Sequence, residues 1–109
     1  MGSAPADPGP EIDLIGRIAQ GDQAALQILY TRYADPLLGL AVQLLSNREE
    51  AEEVLQDAFV RIWRYAKNYD PDLSRPFSWA VTITRRLCWD KRRARRSRSD
   101  RESRLEEAL

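Results

Sequence analysis

Apolar residues fall at helical intervals along almost the whole chain. Ile12, Leu14, Ile15, Ile18 and Ala19 form a short stripe over Glu11–Gln20, and Gly21 suits its C-terminal end. Asp22 is placed to cap a second helix carrying Ala25, Leu26, Leu29, Tyr30 and Tyr33. Asp35-Pro36 reads as a cap followed by a proline at the first helical position, opening a strongly apolar stretch over Leu37–Leu45. Ser46-Asn47-Arg48-Glu49-Glu50 is another start signal, with Ser46 and Glu49, or Asn47 and Glu50, as a capping box. Ala51, Val54, Leu55, Ala58, Phe59, Ile62 and Trp63 then keep helical spacing to about Lys67. Asn68–Pro76, with its two prolines, Asn, Asp and Ser, reads as a loop. A last helix starts near Phe77 with Ala80, Ile83 and Leu87, and then turns almost purely basic. No stretch alternates with period two, so the pattern predicts an all-α compact helical bundle of about four to five helices.

Composition narrows this to one small domain: 109 residues, of which 43% are hydrophobic and 31% charged. Residues 1–10, rich in Pro, Gly and Ala, are expected to form a disordered tail, residues 11–98 the helical domain, and residues 99–109 the start of a linker. No apolar run approaches the roughly 18–20 residues that span a bilayer, and the N-terminus has no signal-peptide pattern. The formal net charge is zero but unevenly spread. Residues 1–84 hold 7 Lys/Arg and 12 Asp/Glu, net −5, whereas residues 85–109 hold 10 and 5, net +5. Charge alone fits a nucleic-acid surface on an acidic body and a solvated basic tail about equally well.

Enzymatic chemistry finds little footing. The chain has no histidine and one cysteine, Cys88, so it has neither a thiolate–imidazole pair nor a zinc set. It has no glycine-rich phosphate loop. No cofactor, metal or small-molecule substrate is expected, and the lone cysteine fits a reducing cytoplasm. Glu49 and Glu50 fall in a first helical turn, where the helix dipole alone accounts for them. Glu53, Gln56, Asp57 and Arg61 share a helix face opposite Ala51, Leu55 and Ala58, a polar strip that meets either a basic partner or water.

The basic segment says more. Arg85, Arg86, Lys91, Arg92, Arg93, Arg95, Arg96 and Arg98 are opposed only by Asp90. Arg85, Trp89, Arg92 and Arg96 recur at i, i+4, i+7 and i+11, one helical stripe. Guanidinium forks suit phosphates and base edges. Upstream stand Tyr69, Phe77 and Trp79, and aromatics beside a cationic strip match what single-stranded nucleic acid needs: faces for stacking and charge for phosphates. The structural alternative is that Phe77 and Trp79 are core residues of the last helix.

The run Ala51-Glu52-Glu53-Val54-Leu55-Gln56-Asp57-Ala58-Phe59, together with Leu29–Tyr33, Arg61-Ile62-Trp63-Arg64 and Phe77–Arg86, resembles region 2 of extracytoplasmic-function (group 4) bacterial RNA polymerase sigma factors. The resemblance covers about residues 11–96. It implies a cytoplasmic bacterial protein that binds the β′ clamp helices of the RNA polymerase core through Glu53, Gln56, Asp57 and Arg61. It also implies capture of the non-template strand of the minus-ten promoter element by Asn68–Ser78 and the basic helix: Tyr69, Phe77, Trp79, Arg85, Arg86, Trp89, Arg92, Arg93 and Arg96. An anti-sigma factor is a further partner it implies. Two positions depart from the family: Arg86 stands where Asn is common, and Trp79 is followed by Ala80 where primary sigma factors have a second Trp. The family's second domain, a helix-turn-helix, is absent from these residues. The competing function is a decoy that binds an anti-sigma factor without touching DNA, and the dense arginines argue against it.

Overall fold

The five helical stretches of the sequence become four α-helices in the computed structural model, which describes residues 7–109. They are α1 (Gly9–Ala19), α2 (Gln23–Leu45), α3 (Arg48–Tyr65) and α4 (Pro76–Ala108), with one 3₁₀ turn at Ala66–Asn68. The chain is therefore an all-α helical domain. Of the tail expected over residues 1–10, residues 1–6 lie outside the described residues. α1 starts two residues earlier than the stripe indicated, because Pro10 sits in its first turn, where a missing N–H costs nothing.

The α1–α2 corner follows its residue types. Gly21 takes the left-handed conformation (φ 87°), and its N–H donates to the Ile18 carbonyl at 2.9 Å. Asp22 caps α2 by accepting from the Ala25 N–H at 3.1 Å, and it pairs with Arg17 at 2.9 Å. The Ala25 amide first, and Arg17 second, hold the Asp22 carboxyl below its usual range.

α2 differs from the expected pair of helices. It runs unbroken through Asp35-Pro36. Ala25, Leu29, Tyr33, Leu37, Ala41 and Leu45 recur every fourth residue across the proline, and all are buried. A four-residue repeat advances about 40° per step around a 3.6-residue helix, so the stripe winds from one side of the bundle to the other. Burial of that continuous stripe outweighs the hydrogen bond lost at Pro36, which faces solvent.

The winding stripe serves two apolar clusters. The first joins Ile15, Ile18, Leu29, Tyr33, Leu37, Phe59 and Ile62 near α1. The second joins Ala41, Leu45, Ala51, Val54, Ala58, Leu87 and Cys88 where α3 and α4 cross the end of α2. Asn47, not Ser46, caps α3: its Oδ1 accepts from the Glu50 N–H at 2.9 Å, while Ser46 ends α2 in the left-handed region (φ 53°). Burial pushes the Cys88 thiol up, which keeps it protonated.

α4 extends beyond the bundle. Its last buried residues are Leu87 and Cys88, and residues 99–109, expected to begin a linker, continue as exposed helix to Ala108. This helix sets the longest dimension of the molecule, 59 Å against 33 and 25 Å. Among the described residues, no helix is long and apolar enough to cross a membrane.

Candidate functional site

The basic half of α4 divides into paired and unpaired cations. Lys91 reaches Glu53 on α3 at 2.6 Å. Arg95 pairs with Glu50 and also donates to the Leu45 carbonyl at 3.4 Å. Arg93 pairs with Asp90 at 3.2 Å. Arg85, Arg86, Arg92, Arg96 and Arg98 have no ion pair among the described residues and are exposed. Arg95, one of the basic run in the sequence, is thus a tertiary contact.

The unpaired arginines surround Trp89. Its indole is 51% exposed, and the Arg92 guanidinium lies 5.4 Å from the ring centroid. Thr82, Arg85, Arg86, Trp89, Asp90 and Arg93 line a shallow cleft along this side of α4. An exposed indole flanked by unpaired guanidinium groups offers a stacking face and phosphate ligands together.

The loop before α4 is tightly built. The Tyr69 hydroxyl donates to the Ser74 carbonyl at 2.7 Å, and Asp70 Oδ1 accepts from the Asp72 N–H at 2.9 Å. Burial first, and the neighbouring Asp70 charge second, raise the Tyr69 phenol above its usual range. The Tyr69 and Trp79 rings pack 5.0 Å apart, both half-buried against the first cluster. Phe77 lies elsewhere, 39% exposed and edge-on to Tyr33 at 5.1 Å. The sequence-predicted aromatics thus split. Trp89 and Phe77 offer open faces, whereas Tyr69 and Trp79 mainly shape the loop. Trp79 and Arg86, seven residues apart, share a side of α4.

Tyr33 beneath Phe77 has a buried hydroxyl with no hydrogen-bond partner among the described residues. Its phenol is held far above its usual range, by burial first and then by the Glu11 carboxylate. Glu11 itself pairs with Arg32 at 3.6 Å.

On α3 the predicted strip is partly engaged. Glu53 leans toward α4 and Lys91, while Gln56, Asp57 and Arg61 are exposed. Asp57 and Arg61, one turn apart, form no ion pair among the described residues. Gln56 borders an open apolar groove between α2 and α3, lined also by Leu26, Tyr30, Phe59, Val60 and Trp63. Tyr30 packs edge-on to Phe59 at 4.9 Å and forms one wall. Val60 is 50% and Trp63 36% exposed. Sequence periodicity put Tyr30 and Trp63 among the apolar stripe residues. The only sequence sign of their exposure is their place at its edge, where a neighbouring helix does not reach.

Comparison with known proteins gives a consistent result. Residues 29–98 match the family described as Sigma-70 region 2. The chain is 33% identical over 91 residues to the ECF RNA polymerase sigma factor SigK of Mycobacterium sp. (strain KMS), covering 84% of this chain and 47% of that protein. It is 34% identical over 95 residues to SigK of Mycolicibacterium vanbaalenii, covering 86% and 48%. Against SigK of Mycobacterium tuberculosis (strain ATCC 25177 / H37Ra) the identity is 29% over 91 residues, covering 84% and 49%. The chain spans about half the length of the curated relatives it matches.

Proposed function

The chain belongs to the Sigma-70 region 2 family, and from that premise we propose that it is the promoter-recognition part of an alternative sigma factor. It acts in bacterial transcription initiation, in the cytoplasm, by binding RNA polymerase and capturing the opened minus-ten strand rather than by catalysis. The observation that carries this reading is the exposed Trp89 among unpaired arginines on α4. A decoy for an anti-sigma factor has no use for that surface.

The roles divide between helices. Phe77 and Trp89 supply faces for unstacked bases of the non-template strand, the Tyr69–Trp79 pair shapes the loop beside them, and Arg85, Arg92 and Arg96 neutralise phosphates. Gln56, Asp57 and Arg61, with Val60 and Trp63 beside them, meet the β′ clamp helices. The apolar groove carries the affinity, and the charged rim sets orientation and association rate. An anti-sigma factor that covered the same groove would compete with polymerase.

The test is binding of the chain to a β′ clamp-helix fragment and to core polymerase. Retention on both, with loss on changing Trp63 or Asp57, is expected. Binding to neither overturns the reading.

A further inference from the structure

The arginine-rich half of α4 has unusual support. No residue of α4 after Cys88 is buried, so apolar packing stops before Trp89. The segment is also a poor helix by itself. Lys91 and Arg95, Arg92 and Arg95, and Arg92 and Arg96 are like charges at the spacings where helix neighbours repel. What ties this segment to the bundle is a ladder from the first turns of α3. Glu53 takes Lys91 at 2.6 Å, and Glu50, one turn earlier, takes Arg95, one turn later. Arg95 also donates to the Leu45 carbonyl at the end of α2. Both cations face α3, and Arg85, Trp89, Arg92 and Arg96 are thereby left to face outward.

We propose that Glu50 and Glu53 are positioning residues for nucleic-acid binding. They hold residues 91–98 of α4 helical against α3 and so align the Trp89 stripe. The inference rests on the reading that this stripe binds single-stranded DNA. It carries a sign opposite to simple electrostatics. Removing two negative charges near a polyanion site ordinarily tightens binding, because repulsion falls. Here removal should loosen it, because the stripe loses its frame. It also gives Glu53 a duty inside the chain, distinct from Gln56 and Asp57 on the open part of the strip.

The experiment uses the full chain with Glu50→Gln and Glu53→Gln combined. Two readouts are taken: amide hydrogen exchange of residues 91–98, and anisotropy of a labelled oligothymidine. Exchange in that segment should quicken while the core stays protected, and oligothymidine affinity should fall by about three- to tenfold, as two exposed ion pairs allow. Glu53→Lys combined with Lys91→Glu rebuilds one rung with its charges reversed, and it should recover protection and part of the affinity relative to Glu53→Lys alone. Unchanged exchange, or equal or tighter binding by the double variant, overturns the proposal, as does failure of the swap to rescue. The promoter reading fails separately: if the unaltered chain binds minus-ten and scrambled strands equally, that reading falls while the exchange result still decides the ladder.

Discussion

Asp90 accepts a hydrogen bond from Arg93 at 3.2 Å, while Arg86, four residues before Asp90, has no ion pair among the described residues. The i, i+4 pair that would have tied Arg86 down is not formed. Arg86 therefore stands free on the side of α4 that also carries Trp79. It stands where the resemblance to extracytoplasmic-function sigma factors implies an Asn, and Arg suits guanine O6 and N7 where Asn suits adenine. Arg86→Ala should relax preference at one upstream base position by about 1–3 kcal/mol, read on a panel of promoter fork variants with core polymerase. Arg92→Ala should lower affinity evenly and flatten the salt dependence. Equal, uniform losses make Arg86 one more phosphate contact. Arg95 is unsuited as the control, because its guanidinium is engaged by Glu50.

Asp57→Ala should weaken binding to the β′ clamp helices by about 1.5–3 kcal/mol where the contact is desolvated. Trp63→Ala should cost about 2 kcal/mol or more, as a central apolar anchor does. Helical content by circular dichroism should not change in either variant, since both side chains are exposed. Unchanged affinity in both would remove the α2–α3 groove from the docking surface.

Pro36 lies inside α2 and faces solvent. Pro36→Ala should restore a backbone donor and raise unfolding free energy by about 1–2 kcal/mol, after allowance for a more flexible unfolded chain. The check is urea denaturation. A loss of stability would mean that the proline serves the helix in some other way.

Residues 99–108 are helical, but residues 99–109 bury nothing. Their deletion should move the melting temperature little, because stability follows buried apolar surface. A fall worth several kcal/mol would place part of the core there.

The legible part of the fold was local. The spacing of Val54, Leu55, Ala58, Phe59 and Ile62 gave α3 and its buried face, and Gly21 with Asp22 gave the first corner. Asp35-Pro36 reads locally as a helix start, yet it lies inside α2, because the stripe that overrides the local signal becomes visible only when Ala25 to Leu45 are taken together. The candidate site was legible as composition but not as wiring. Glu53 and Lys91 are 38 residues apart and Glu50 and Arg95 are 45 apart, and no periodicity links them. Which arginines remain unpaired depends on those distant pairings. The same holds for Tyr30 and Trp63, whose exposure depends on where α2 and α3 leave a groove.

Sequence selection from a randomised pool of single strands, bound by this chain on core polymerase, tests the central claim most directly. Recognition of an opened minus-ten strand predicts enrichment of a short motif with at least one nearly invariant base, and loss of that enrichment when the pool is presented as duplex lacking any opened region. Recovered strands with no shared motif, held only in proportion to their charge and released together by salt, would contradict it.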